Sequence, residues 1–138
     1  MIMQNLVVDT NSLIQIISPR SPYHCIYKAI TDGTYALCVT TEILEEYEEV
    51  LLRLMHPSVA HAVIESIIGN PYTKRVTSYF HFHLITSDPD DNKFVDCAVA
   101  SNAKYLVTED RHFDVLKQID FPRIEVVDLD EFVKTLTI

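Results

Sequence analysis

The chain is 138 residues long, enough for one domain that buries roughly 68–70% of the surface its unfolded form would expose. A hydrophobic fraction of 48% and a mere two glycines describe a compact, helix-rich globule and exclude a disordered or collagen-like chain. The net charge of −9 argues against the broad basic face of a duplex binder and leaves room for a small substrate surface or a basic partner. The run before Asp9 has no basic residue and is too short for a signal peptide, and no stretch approaches the length of a membrane span. Three cysteines (Cys25, Cys38, Cys97) form no Cys-x-x-Cys pair, so reduced thiols in the core are expected. The expectation is a single cytoplasmic domain over 1–138 that makes no use of a membrane.

In chain order, residues 5–8 read as a buried strand. Apolar periodicity predicts helices at 12–17 and 22–31, separated by Ser18-Pro19-Arg20-Ser21-Pro22. Asp32-Gly33 is a turn before a second strand at 34–39. The clearest helix is 41–54, with Ile43, Tyr47, Val50, Leu51 and Leu54 on one face and Glu42, Glu46, Glu49 and Arg53 on the other. Pro57 opens a further helix through Ile68, ended by Gly69-Asn70-Pro71. The stretch from Tyr72 to Tyr79 has no clear period. A third strand is expected at 82–86, then turn and capping chemistry at Asp88-Pro89-Asp90 and a helix at about 91–103. A strand at 104–108, a helix at 110–119, a strand at 124–127 and a helix at 129–136 complete the chain. Alternating strands and helices predict an α/β fold with a mostly parallel sheet of about five strands, covered on both faces.

Acidic residues recur where apolar segments end. Asp9 closes Leu6-Val7-Val8, Asp91 follows Leu84-Ile85-Thr86, and Asp110 follows Tyr105-Leu106-Val107. The helix after the second strand carries Glu42, Glu45, Glu46, Glu48 and Glu49, among which periodicity alone does not choose. In a parallel sheet, side chains just past the carboxyl ends of the strands converge on one crevice. Carboxylates there repel: at about 5 Å and an effective dielectric near 20, each pair costs on the order of 3 kcal/mol. A divalent cation is the natural remedy, so the pattern points to a Mg²⁺- or Mn²⁺-dependent nuclease. Each segment also has a plainer reading. Asn11 or Ser12 would cap a helix beside a turn residue Asp9, and most glutamates of the long helix would be a solvated face favoured by its dipole. Thr10, Asn11 and Ser12 are expected to cap or to support the ligands.

Four blocks, Val7-Val8-Asp9-Thr10-Asn11, Leu44 to Leu51, Asp88-Pro89-Asp90-Asp91-Asn92-Lys93-Phe94 and Tyr105 to Asp110, resemble the PIN-domain family of metal-dependent ribonucleases from Leu6 to about Phe132. The resemblance implies a PIN-like three-layer α/β/α fold and a metal site of Asp9, Glu46, Asp91 and Asp110, with Asn11, Thr108 and Asp96 supporting. It also implies metal-assisted hydrolysis of an RNA phosphodiester. Lys93 and Arg111 would contact phosphates. The Asp-Pro-Asp-Asp-Asn run is similar to toxins of bacterial toxin–antitoxin pairs, which implies a cognate antitoxin partner and a homo-oligomer. The chain departs from the family pattern at Glu109 and at Arg111-His112-Phe113, which bears on the geometry of the fourth ligand Asp110 and leaves Asp96 and Asp114 as candidate substitutes.

Other features have competing readings. His81-x-His83 lacks the further ligands of a zinc site. Tyr72, Tyr79, Phe80 and Phe82 could stack on bases, but core packing beside the third strand is the stronger expectation. Lys74-Arg75 is the one adjacent basic pair. A haloacid-dehalogenase-type phosphohydrolase would need a second aspartate at position 11, where the chain has Asn11. A catalytically silent PIN-like binding or scaffold module is the alternative from a different class, and metal binding separates it from a nuclease.

Overall fold

The computed structural model describes residues 3–85 and 89–136. Five strands form one sheet in the order β3-β2-β1-β4-β5: β1 Gln4–Val8, β2 Tyr35–Val39, β3 Lys74–Arg75, β4 Tyr105–Val107 and β5 Val126–Val127. Every adjacent pair is parallel, with Leu6 facing both Leu37 and Tyr105, and Val8 facing Val107. Parallel strands covered on both faces read as unbroken apolar runs. Leu6, Val7 and Val8 are accordingly inaccessible, and all of β2 is buried. The helices α1 Thr10–Ile17, α2 His24–Thr31, α3 Thr41–Leu54, α4 Pro57–Gly69, α5 Asn92–Ala100 and α6 Leu129–Leu136 make the outer layers of a three-layer α/β/α fold. Helix α5 packs on β1, β2 and β4, whereas α6 reaches the sheet through Phe132, whose ring meets Tyr35 and Tyr105.

Chain order places the chemistry. The chain runs outward from β1 to β2 and β3, then crosses back to β4 and β5, so the topological switch point lies between β1 and β4. Asp9 and Thr108 stand immediately past that point. Turn geometry matters at one glycine: Gly33 has φ +85°, and a Cβ there would lie 2.7 Å from the Tyr72 ring.

Several expectations need correction. The third strand is Lys74–Arg75, in the stretch without a clear period, and not 82–86; residues 82–85 are irregular, and Thr86, like Asp88, lies outside the described residues. The apolar alternation there is real, but Ile85 pairs its backbone N–H and C=O with the Asn92 side chain, both at 2.9 Å, instead of with a strand. The edge of β2 is taken by β3. Helix α1 starts two residues early because Asp9, and neither Asn11 nor Ser12, is its cap. The segment Arg111–Gln118 is a 3₁₀ helix, and α5 ends at Ala100. Cys25 is exposed, unlike the buried Cys38 and Cys97. Tyr79 and Phe80 are 83% and 76% exposed, and so are not core residues.

Candidate active site

The site is assembled from the first residues after β1 and β4, one turn of α3, and the 3₁₀ turn Pro89–Asp91 that leads into α5. Parallel pairing brings Asp9 beside Thr108: the Asp9 N–H donates to the Val107 carbonyl at 3.1 Å. The Asp9 side chain is 5% exposed. Its Oδ1 accepts from the Ser12 N–H at 2.9 Å, and its Oδ2 accepts from the Thr108 hydroxyl at 2.5 Å. Thr108 Oγ1 in turn accepts from the Asp110 N–H at 3.0 Å, so one hydroxyl links the two strand-end aspartates. Burial raises the Asp9 carboxyl pKa, the bonds from Thr108 and Ser12 oppose that rise, and the negative charge of Asp110 adds to it.

Asp110 caps the 3₁₀ helix by accepting from the His112 N–H at 2.8 Å. That turn swings the His112 ring over the crevice, with Nδ1 3.3 Å from Asp110 Oδ1 and 3.7 Å from Asp91 Oδ2. Asp91, Asp110 and His112 each offer a donor atom, all within 4.8 Å of one another. His112 was not among the sequence candidates. Its signal was its place two residues after a strand-end aspartate, where a capping turn brings the side chain back.

On α3, Glu42, Glu45, Glu48 and Glu49 are exposed, and Glu46 alone of the helix's glutamates is half-buried. Its Oε2 accepts from the Thr10 hydroxyl, which ties α3 to the residue after Asp9. Its Oε1 lies 2.7 Å from the Lys93 ammonium. The neighbouring Tyr47 hydroxyl donates to the Val8 carbonyl at 2.5 Å and seats this turn of α3 against β1.

The remaining candidates divide. Asn11 and Arg111 are exposed beside the crevice. Asp114 is exposed and paired with Lys117 at 3.4 Å, so it stands apart from the cluster. Asp96 is 4% exposed, and its oxygens accept from the Phe82 N–H and pair with His81 Nδ1, both at 3.1 Å, so each already has a partner. The donors that do gather are hard carboxylate oxygens with one imidazole, and each Asp9 oxygen keeps a lone pair beyond its hydrogen bond. A buried Asp9 beside half-buried, mutually repelling carboxylates fits a divalent cation, which Asp9, Glu46, Asp91 and Asp110 could hold.

A profile of the PIN domain family matches residues 5–112. No curated protein matches the sequence. Among solved structures, the fold is similar to VapBC2 from Rickettsia felis bound to a promoter DNA fragment, with TM-score 0.63 and 14% identity over 90% of this chain and 98% of that one. It is similar also to DNA-bound VapBC from Salmonella typhimurium, with TM-score 0.57 and 17% identity over 92% of this chain and 99% of that one. The T. brucei RRP44 PIN domain aligns with TM-score 0.54 and 12% identity over 98% of this chain and 82% of that one. The matched residues run from β1 past the last strand-end aspartate, across the switch point where the acids gather, and the chain belongs to the PIN domain family.

Proposed function

We propose that this protein is a divalent-metal-dependent endoribonuclease and the toxin of a toxin–antitoxin pair. The observation that carries the reading is the gathering of Asp91, Asp110 and His112 within 4.8 Å, beside the buried Asp9, in a PIN domain. A Mg²⁺ or Mn²⁺ ion held by Asp9, Glu46, Asp91 and Asp110 would supply Lewis acidity at the scissile phosphate. The chain's own residues do the rest. Thr108 orients Asp9 and the backbone before Asp110, Thr10 and Lys93 hold Glu46, and the exposed Arg111 would contact a flanking phosphate.

The test is cleavage of single-stranded RNA by the purified chain with Mg²⁺ or Mn²⁺, with EDTA and with Asp9→Asn. The expected result is cleavage that needs the ion and is abolished in Asp9→Asn, together with lost Mn²⁺ binding. Unchanged Mn²⁺ affinity in that variant would remove Asp9 from the ligand set. A wild-type chain that binds no Mn²⁺ and cuts no RNA would instead be a silent binding module.

Two of the solved structures similar in fold are VapBC toxin–antitoxin complexes, which supports a protein partner for this chain. A crevice of carboxylates suits a partner arginine or lysine lying against Glu46 and Asp91 through charge-assisted hydrogen bonds. Inhibition by such a segment should be relieved by excess Mn²⁺ and weakened by salt. Inhibition that ignores both points to steric occlusion by an apolar helix. The free chain, at −9, should bind RNA weakly, with Kd roughly 10⁻⁴–10⁻⁶ M.

A further inference from the structure

A cavity of about 380 Å³ opens beside the acidic crevice, where α3, the irregular segment after β3 and α5 meet. The two share a wall: Lys93, bound to Glu46, lines the cavity, as do Asp90 and Asn92 on either side of Asp91. The volume falls within the range of small-molecule sites, roughly 300–1,000 Å³, and accommodates one nucleoside.

The cavity gathers groups that phosphodiester chemistry leaves unused. Asp96 is buried, yet it is held by His81 Nδ1 and the Phe82 N–H at 3.1 Å each. A carboxylate that accepts from Nδ1 places a proton there, and in the neutral form of such a ring Nε2 is the acceptor. Glu42 and Asp90 add carboxylates to the wall, and Lys93 is the one Lys or Arg among the described lining residues, already engaged by Glu46. Such a wall repels phosphate and suits a neutral ring that carries N–H donors. Tyr79 and Phe80, both more than three-quarters exposed, lie in sequence between the lining residues Ser78 and His81. His83, also lining it, takes a left-handed φ of +51°, a strained conformation for a residue with a Cβ.

We infer that this cavity reads one base of single-stranded RNA next to the scissile phosphate. It selects an amino-bearing base, adenine or cytosine, through the His81 Nε2 acceptor, while Phe80 stacks on a neighbouring base. Single-stranded RNA is recognised in this manner elsewhere, by splayed bases stacked on aromatic rings and hydrogen-bonded along their edges. The inference rests on the reading that the chain acts on RNA, but its test does not need cleavage.

The probe is fluorescein-labelled hexaribonucleotides of adenine, cytosine or uracil, titrated by anisotropy against the full chain in EDTA. The expected result is that the adenine or the cytosine hexamer binds at least about fivefold more tightly than uracil. His81→Ala should level that preference. Phe80→Ala, at an exposed position that cannot compromise folding, should weaken every hexamer by about fivefold or more. Equal affinities, no detectable binding, or a preference that survives His81→Ala would overturn the inference. So would binding of an arginine-containing peptide in place of any hexamer, which would hand the cavity to a protein partner. Base preference without cleavage would sink the nuclease reading and leave this site standing; cleavage without base preference would do the reverse.

Discussion

The two rims of the central sheet are built from the same strands and carry opposite charge. At the carboxyl rim, Asp91 and Asp110 gather with His112, the buried Asp9 is linked to Asp110 through Thr108, and Glu46 is held by Thr10 and Lys93. At the amino rim, Lys74, Lys104 and Arg123 line a cavity of about 470 Å³ in which Glu125 is the one acid among the described lining residues. Those cations are exposed, and Lys74 donates to neutral Asn5 at 2.8 Å. The contrast teaches that a net charge of −9 describes neither rim. It also separates two kinds of charge. Solvated charge at the amino rim costs little and is screened, whereas a buried carboxylate such as Asp9 is expensive unless something compensates it.

The sharpest way to break the comparison is on α3. Glu46→Gln should lower metal-dependent cleavage on the order of 100-fold, while the exposed Glu45→Gln and Glu49→Gln, and Lys104→Ala at the other rim, should stay within about twofold. Equal losses at Glu45 and Glu46 would mean that the inward turn of Glu46 has no functional weight. Next in size is a change at the amino rim that touches stability alone. Gly33→Ala puts a Cβ on a left-handed residue and should cost about 1–2 kcal/mol. The melting temperature should fall by several degrees, with cleavage at saturating metal unchanged.

A smaller effect is expected at Lys93. Its ammonium sits on Glu46 where a divalent ion would compete, so Lys93→Met should tighten Mn²⁺ binding by roughly threefold to tenfold in calorimetry. Unchanged or weaker binding would show that Glu46 does not reach the ion. The smallest is a pH effect without metal. Burial holds the Asp9 pKa above its ordinary 3.8, so folding favours the protonated form. The stability this gives is fully present below 3.8 and is lost as pH rises through the elevated folded value. Thermal melts in EDTA should show that decline in the wild type and a shallower one in Asp9→Asn, with the variant slightly the more stable at neutral pH. Parallel melting curves would show that Asp9 is not penalised by burial.

Much of the frame was legible in local pattern. β2 and β4 are unbroken apolar runs, β1 is apolar from Leu6 to Val8, and α3 carries its period plainly, so their existence and the acids after β1 and β4 could be read directly. β3 could not be, because a two-residue strand carries no period, and its place depends on an open edge of β2. The alternation at 82–85 misled for the complementary reason: Ile85 satisfied its backbone through Asn92, a partner that a search for strands does not consider. Hydrophobicity and the neighbouring alternation place Phe80 and Tyr79 in the core, yet they lie on an irregular segment that leaves both exposed.

The acids themselves, their order and their positions past apolar runs are properties of the sequence, because a strand buried on both faces must be apolar and must end where a polar residue begins. Which acids meet was decided by tertiary structure. The Thr108 bond to Asp9 spans 99 positions and exists only because Val8 pairs with Val107. Glu46 was one of five glutamates until α3 packed against α1 and turned that one inward. His112 joined through a capping turn at Asp110, and Asp96 took His81, fifteen positions away, as its partner. Local periodicity records which face of an element is apolar; it holds no information about which distant edge that face will meet, and the site is made of such meetings.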